Sequence, residues 1–234
     1  MNDFFRFEDD NRDFPFYNKK PKLSKIDWAI LLIGVSIFIG IIVIPNNINR
    51  NIIPLILGLS TLLPILYVSR GNWNLFFRMP KLKDIPLIIL CTLLYYSYSL
   101  TMIFILHGAG VGTNSNAVTT NINIFLCLGL IIQILGEELF KVILMLIVMF
   151  LVYNFTNKRK ISMICGLVIS LLIFGLIHYN SYNGALAQII FVIGFGSIFY
   201  TYAYLKTKNV IVAYISHILI DGIVFGAIIL SSIL

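Results

Sequence analysis

With 59% hydrophobic and only 12% charged residues among 234, and a mean hydropathy of +0.94, the chain lies far outside the mix of a soluble globular domain. That balance excludes a water-soluble enzyme and predicts an all-α, polytopic membrane helical bundle. The net charge of +7 does not point to nucleic acid, because the basic residues sit in short connections beside apolar helices rather than in one patch.

Residues 1–25 carry mixed charge and lack the apolar core of a cleavable signal peptide, so they are expected to form a cytoplasmic tail ending in a basic membrane anchor. The membrane region, residues 26–234, shows no strong internal repeat and is expected to form one domain. Apolar runs able to cross a bilayer core, which takes roughly 20 helical residues, fall near 26–45, 52–69, 85–106, 122–153, 163–178, 185–205 and 210–232. Seven spans are therefore predicted, the fifth short and the fourth long enough to tilt or project. Fifteen of the seventeen Lys and Arg residues lie in the N-terminal tail or in alternate connections, with only Arg50 opposite and Lys141 inside a span. Positively charged connections stay cytoplasmic, so the N-terminus is predicted inside and the C-terminus outside. Cys91, Cys127 and Cys165 are odd in number, fall in apolar runs, and are expected to serve as packing residues.

Among the acids, Asp3, Glu8, Asp9, Asp10 and Asp13 lie in the tail, and Asp27 and Asp84 begin spans. Only Glu137, Glu138 and Asp221 lie deep. A charge at the centre of a membrane helix costs about 2.5–3.5 kcal/mol, so such groups face a polar interior and pair. Candidate partners are His178, which closes the fifth span, and His217 in the seventh; His107 instead ends the third span beside a Gly-rich loop. Helical spacing places His217 with Asp221 and puts Lys141 within reach of both Glu137 and Glu138. Two adjacent carboxylates in a low dielectric resist ionising together, which suits one of them to acid or base chemistry. A polar network that only fixes helix register is the alternative reading.

The ordered set Glu137-Glu138, Phe174-x-x-x-His178 and His217-x-x-x-Asp221 resembles the CPBP family of intramembrane endopeptidases, also called the Abi or CAAX prenyl protease 2-like family, over about residues 122–225. One position departs: the family usually has Arg five residues after the first Glu, where this chain has Val142, whereas Lys141 stands at four, a spacing that resembles PrsW-like proteins. The resemblance implies a peptide hydrolase in which Glu137 activates water with His178, while His217 and Asp221 stabilise the oxyanion. Glu138 and Lys141 would support them, and Gly136 would permit close helix approach. No cofactor is expected, although the same Glu, His, His and Asp set could hold a divalent metal such as zinc. The implied partners are a membrane-associated peptide or protein substrate and the lipid bilayer. The implied setting is multi-pass in a bacterial plasma membrane, with bacteriocin immunity or peptide maturation as its context. A non-catalytic immunity or scaffold protein, and a proton-coupled transporter, are the rival classes.

Depth raises a conflict within that reading. At about 1.5 Å per residue, Glu137 lies roughly 24 Å from the Tyr153 end of its span, but His217 only about 10 Å in from Val210.

Overall fold

The computed structural model describes residues 3–9, 12–117 and 124–233. Asp10 and residues 122 and 123 of the expected fourth span lie outside the described residues. Helices α1 (Lys25–Val43), α2 (Ile53–Ser69), α3 (Ile85–Gly108), α4 (Ile124–Thr156), α5 (Arg159–Ile177), α6 (Ile198–Thr207) and α7 (Val210–Ile233) follow one another, with a π-helical stretch, Gln188–Gly194, ahead of α6. Among the described residues, six helical segments are long and apolar enough to cross a membrane, and α2 is a shorter apolar seventh. The expected polytopic helical bundle is thus present, with no strand among the described residues.

Local chemistry sets the helix ends. Ser24 and Asp27 form a reciprocal capping box at the start of α1, each side chain taking the other residue's backbone N–H. Pro54 and Pro86 sit in the first turns of α2 and α3, where a missing N–H costs nothing. Arg70, Asn157 and Lys208 adopt left-handed backbone at φ 49°, 51° and 50°, and the chain reverses at each. These turns all lie at the basic end of the bundle.

The sixth span differs from the single helix expected over 185–205. Phe195 N–H reaches back five residues to Ile190 C=O at 2.9 Å, and the widened turn ends at Gly194. A close backbone contact lies at this stretch: a Cβ on Gly175 would lie 2.6 Å from Ile189 O and 2.9 Å from Gly194 Cα. A second close approach joins α2 to α4, where a Cβ on Gly136 would lie 2.8 Å from Gly58 Cα, and Thr61 Oγ1 donates to Gly136 O at 3.1 Å. Gly136→Val is therefore expected to push these helices apart and lower stability by about 1–3 kcal/mol, read as a lower thermal unfolding midpoint in detergent.

The expected cytoplasmic tail is folded onto the bundle. Phe14, Phe16, Tyr17 and Leu23 are buried in the same apolar core as Leu139, Phe140 and Tyr204. Glu8 is buried with them and pairs with Arg159 and Lys208, both at 2.7 Å, while Arg159 also meets Asp13 at 2.9 Å. Arg159 and Lys208, expected as loop cations, are only 2% and 1% exposed. The fifth span consequently begins at Arg159 and runs 19 residues, longer than the apolar run alone implied.

This covering also removes the depth conflict. Val210, the first residue of α7, is fully buried and its N–H bonds Phe76 O at 2.8 Å, so α7 starts beneath the folded N-terminal segment and the 73–77 turn. The 33-residue α4 instead overshoots, leaving Phe155 87% exposed. Offset starting points bring Glu138 and His217 level.

Candidate active site

Helix α4 presents Gln133, Glu137, Glu138 and Lys141 within two turns, and their hydrogen bonds divide the two acids. Glu138, 1% exposed, receives Lys141 Nζ at 2.8 Å and His217 Nδ1 at 2.7 Å on the same oxygen, Oε1. Glu137 receives Gln133 Nε2 at 2.8 Å, from one turn earlier on α4. Lys141 can reach either acid by spacing, but its ion pair is with Glu138. The rest of the ammonium is covered: Thr201 Oγ1 lies at 3.4 Å, and the ring centroids of Tyr200 and Phe174 at 3.8 and 4.6 Å.

His217, on α7, stacks on Tyr200 with ring centroids 4.3 Å apart. A carboxylate can only accept, so Nδ1–H donates to Glu138 and Nε2 is left between Glu137 Oε2 at 3.9 Å and Asp221 Oδ2 at 3.7 Å. Both distances exceed a direct hydrogen bond. His178 follows the last turn of α5 and its Nδ1 lies 2.7 Å from Phe174 O. A carbonyl cannot donate, so Nδ1 carries the proton and Nε2 keeps its lone pair.

Glu137, His178, His217 and Asp221 line one cavity of about 260 Å³, together with Gln133 and the tyrosines 95, 182 and 200. Glu138 and Lys141 lie behind its wall. The Asp221 side chain is 31% exposed, against 8% for Glu137 and 6% for His217. His107 is elsewhere, exposed and bonded to Thr113 at 2.9 Å. Cys91 is buried, Cys127 and Cys165 are half-buried, and all three are free thiols. Gln133, Thr201 and Tyr200 escaped sequence reasoning; Gln133 alone had a signal, a polar residue one turn before Glu137 in an apolar run.

Among the described residues no three His, Cys, Asp or Glu side chains are grouped as a metal shell. His217 Nδ1 bonds Glu138 and His178 Nδ1 bonds a backbone carbonyl, which orients both rings and leaves each Nε2 available.

Fold and cavity together define a multi-pass helical membrane protein with carboxylates and histidines gathered in its core. Residues 119–223 match the family described as type II CAAX prenyl endopeptidase Rce1-like, which supports the CPBP/CAAX protease resemblance. The matched stretch contains Glu137, Glu138, Lys141, His178, His217 and Asp221, and excludes α1 to α3. No curated protein and no solved structure matches the chain.

Proposed function

We propose that the protein is a CAAX-type intramembrane endopeptidase that cleaves a membrane-associated peptide or protein by a glutamate-activated water, without a metal. The observation that carries this reading is the separation of the acids: Glu137 faces the cavity with His178, His217 and Asp221, while Glu138 is neutralised behind the wall by Lys141. A base must keep a lone pair for the reacting water, and Glu137 is the buried carboxylate here without a direct cation.

Water held between Glu137 and His178 would pass a proton to the carboxylate as its oxygen attacks the peptide carbonyl carbon. His178, fixed through Nδ1 by Phe174 O, orients that water with Nε2. The carbonyl oxygen then gains charge, and His217 Nε2, when protonated, donates to it. Glu138 holds the ring in place by accepting from Nδ1. Asp221 must be protonated to donate in the same way; ionised, it orients His217 through Nε2. Proton return from Glu137 to the departing amine completes hydrolysis.

A panel of membrane-associated peptides incubated with the protein in proteoliposomes tests the reading. Cleavage is expected, and His178→Ala should lower kcat by about 10²–10⁴-fold, the usual contribution of a positioned acid–base group. Undiminished cleavage by His178→Ala would remove His178 from the mechanism. A homogeneous, folded protein that cleaves nothing in the panel would favour the immunity or scaffold alternative, in which the same network only holds helices.

Bacteriocin self-immunity is the proposed context, with peptide maturation as the second. Protection of a sensitive host against peptide bacteriocins, compared between the intact protein and His178→Ala at matched membrane abundance, separates them.

A further inference from the structure

We propose that the catalytic cavity is reached from the extracytoplasmic face, so that the substrate is a peptide segment presented from outside the cell rather than from the cytoplasm. The proposal builds on the endopeptidase reading but stands on the placement of the cavity along the bundle.

The two ends of the bundle differ in chemistry. One end gathers the start of α1, the end of α2, the start of α3, the turn between α4 and α5, and the turn between α6 and α7, and it bears Lys25, Arg70, Arg78, Lys81, Lys83, Lys158, Arg159, Lys160, Lys206 and Lys208. These connections are bound to one another: Arg78 N–H donates to Asn209 at 3.1 Å, Arg12 to Asn74 O at 2.8 Å, and Asp9 N–H to Lys206 O at 3.0 Å. Short basic connections are retained in the cytoplasm, so this end faces inward.

The cavity belongs to the opposite end. Its rim is formed by Ile42 at the end of α1, Ile53 at the start of α2, Asn116 after α3, and Ser181 and Tyr182 after α5. Those rim residues are half-buried, whereas Glu137 and His217 at the floor are 6% and 5% exposed. The connections at this end are also tied together, Asn114 Nδ2 to Tyr182 O at 3.0 Å and Ala117 N–H to Ser181 O at 2.8 Å. None of the described residues of the basic end lines the cavity.

Toward the cytoplasm the route is filled. Below Glu138 lie the Lys141 ammonium with Tyr200, Phe174 and Thr201, and then the stacked Phe38 and Phe140, both fully buried. The N-terminal segment closes the end with Phe14 and Tyr204 and with the Glu8–Arg159–Lys208 cluster. A peptide from the cytoplasm would have to displace that core. A peptide from outside meets a half-buried rim with Ile42 and Ile53 as apolar contacts. Substrates with apolar side chains near the scissile bond, delivered extended to the outer leaflet, suit it.

Side-specific thiol labelling tests this without requiring turnover. Cys91, Cys127 and Cys165 are replaced, and a single cysteine is introduced at Ser181 on the rim, at Gln133 or Leu130 inside the cavity, or at exposed Lys81 on the basic end. The probe is a sulfonate-bearing, membrane-impermeant methanethiosulfonate, applied to intact cells and to inside-out vesicles at matched membrane abundance. Ser181→Cys and at least one of Gln133→Cys and Leu130→Cys are expected to react in intact cells and to lose reaction in inside-out vesicles, with Lys81→Cys showing the reverse. Reaction of the cavity cysteines only in inside-out vesicles, or of neither cavity cysteine in intact cells, overturns the proposal. Outward labelling combined with failure to cleave any externally added peptide would leave access established and the endopeptidase reading refuted.

Discussion

Glu137→Gln should abolish detectable peptide hydrolysis while leaving the protein folded, whereas Glu138→Gln should lower both activity and stability. The amide keeps the shape of Glu137 and still accepts from Gln133, now at 2.8 Å from the carboxylate, so the cavity wall is preserved and only the base is lost. A lost general base costs about 10²–10⁴ in kcat, and with Glu137 as the only base the upper end is expected. Glu138 is different, because its carboxylate neutralises Lys141 and holds His217. Removing its charge leaves a fully buried ammonium unpaired, and breaking one partner of such a pair costs about 3–5 kcal/mol. The measurement is paired: kcat in proteoliposomes and the thermal unfolding midpoint in detergent. An unchanged midpoint with lost turnover for Glu137→Gln, beside a depressed midpoint for Glu138→Gln, supports the division of roles. Retained turnover in Glu137→Gln would show that the acids serve structure alone.

The features of this fold that hydropathy could reveal are those set by contact with lipid. All seven apolar runs became helical segments, because a chain in hydrocarbon must satisfy its backbone internally and the helix is the local solution. Spacing along a single helix was equally legible: Glu138 with Lys141, and His217 with Asp221, are placed by the 3.6-residue period. What the period could not decide was which acid Lys141 chooses. That choice depends on Tyr200 and Thr201, some 60 residues away, whose position follows from the π-helical turn before α6. The N-terminal segment was harder still. Its mixed charge reads as a cytoplasmic tail ending in a basic membrane anchor, yet Glu8 finds partners 151 and 200 residues later, and such pairings leave no mark in composition. The same contacts explain why His217 is level with Glu138 despite unequal distances to the ends of their spans.

Arg159→Met is expected to lower stability by about 3–5 kcal/mol, because it removes the bidentate partner of a buried carboxylate. Arg159 donates to both oxygens of Glu8, at 2.9 and 2.7 Å, and to Asp13 at 2.9 Å, and only Lys208 and the Phe5 backbone N–H would remain on Glu8. Methionine keeps most of the volume, so the loss reports charge pairing rather than a cavity. The same cluster predicts a pH dependence. Burial pushes the Glu8 carboxyl up, but hydrogen bonds from Arg159 and Lys208 outweigh it and hold the group at about 2, against an ordinary 4.5. A carboxylate held below its unfolded value contributes stability that is complete above that value and is lost as pH falls toward the folded one. The contribution of Glu8 should therefore be full above about pH 4.5 and fade between there and about 2. Unfolding midpoints of wild type and Glu8→Gln, followed by tryptophan fluorescence from neutral pH downward, should converge in that window. Limited proteolysis adds a positional readout: cleavage within residues 3–24 should rise in Arg159→Met before the membrane helices are cut. A wild-type midpoint and unchanged proteolysis in Arg159→Met would mean that apolar packing of Phe14, Phe16 and Tyr17 alone anchors the segment.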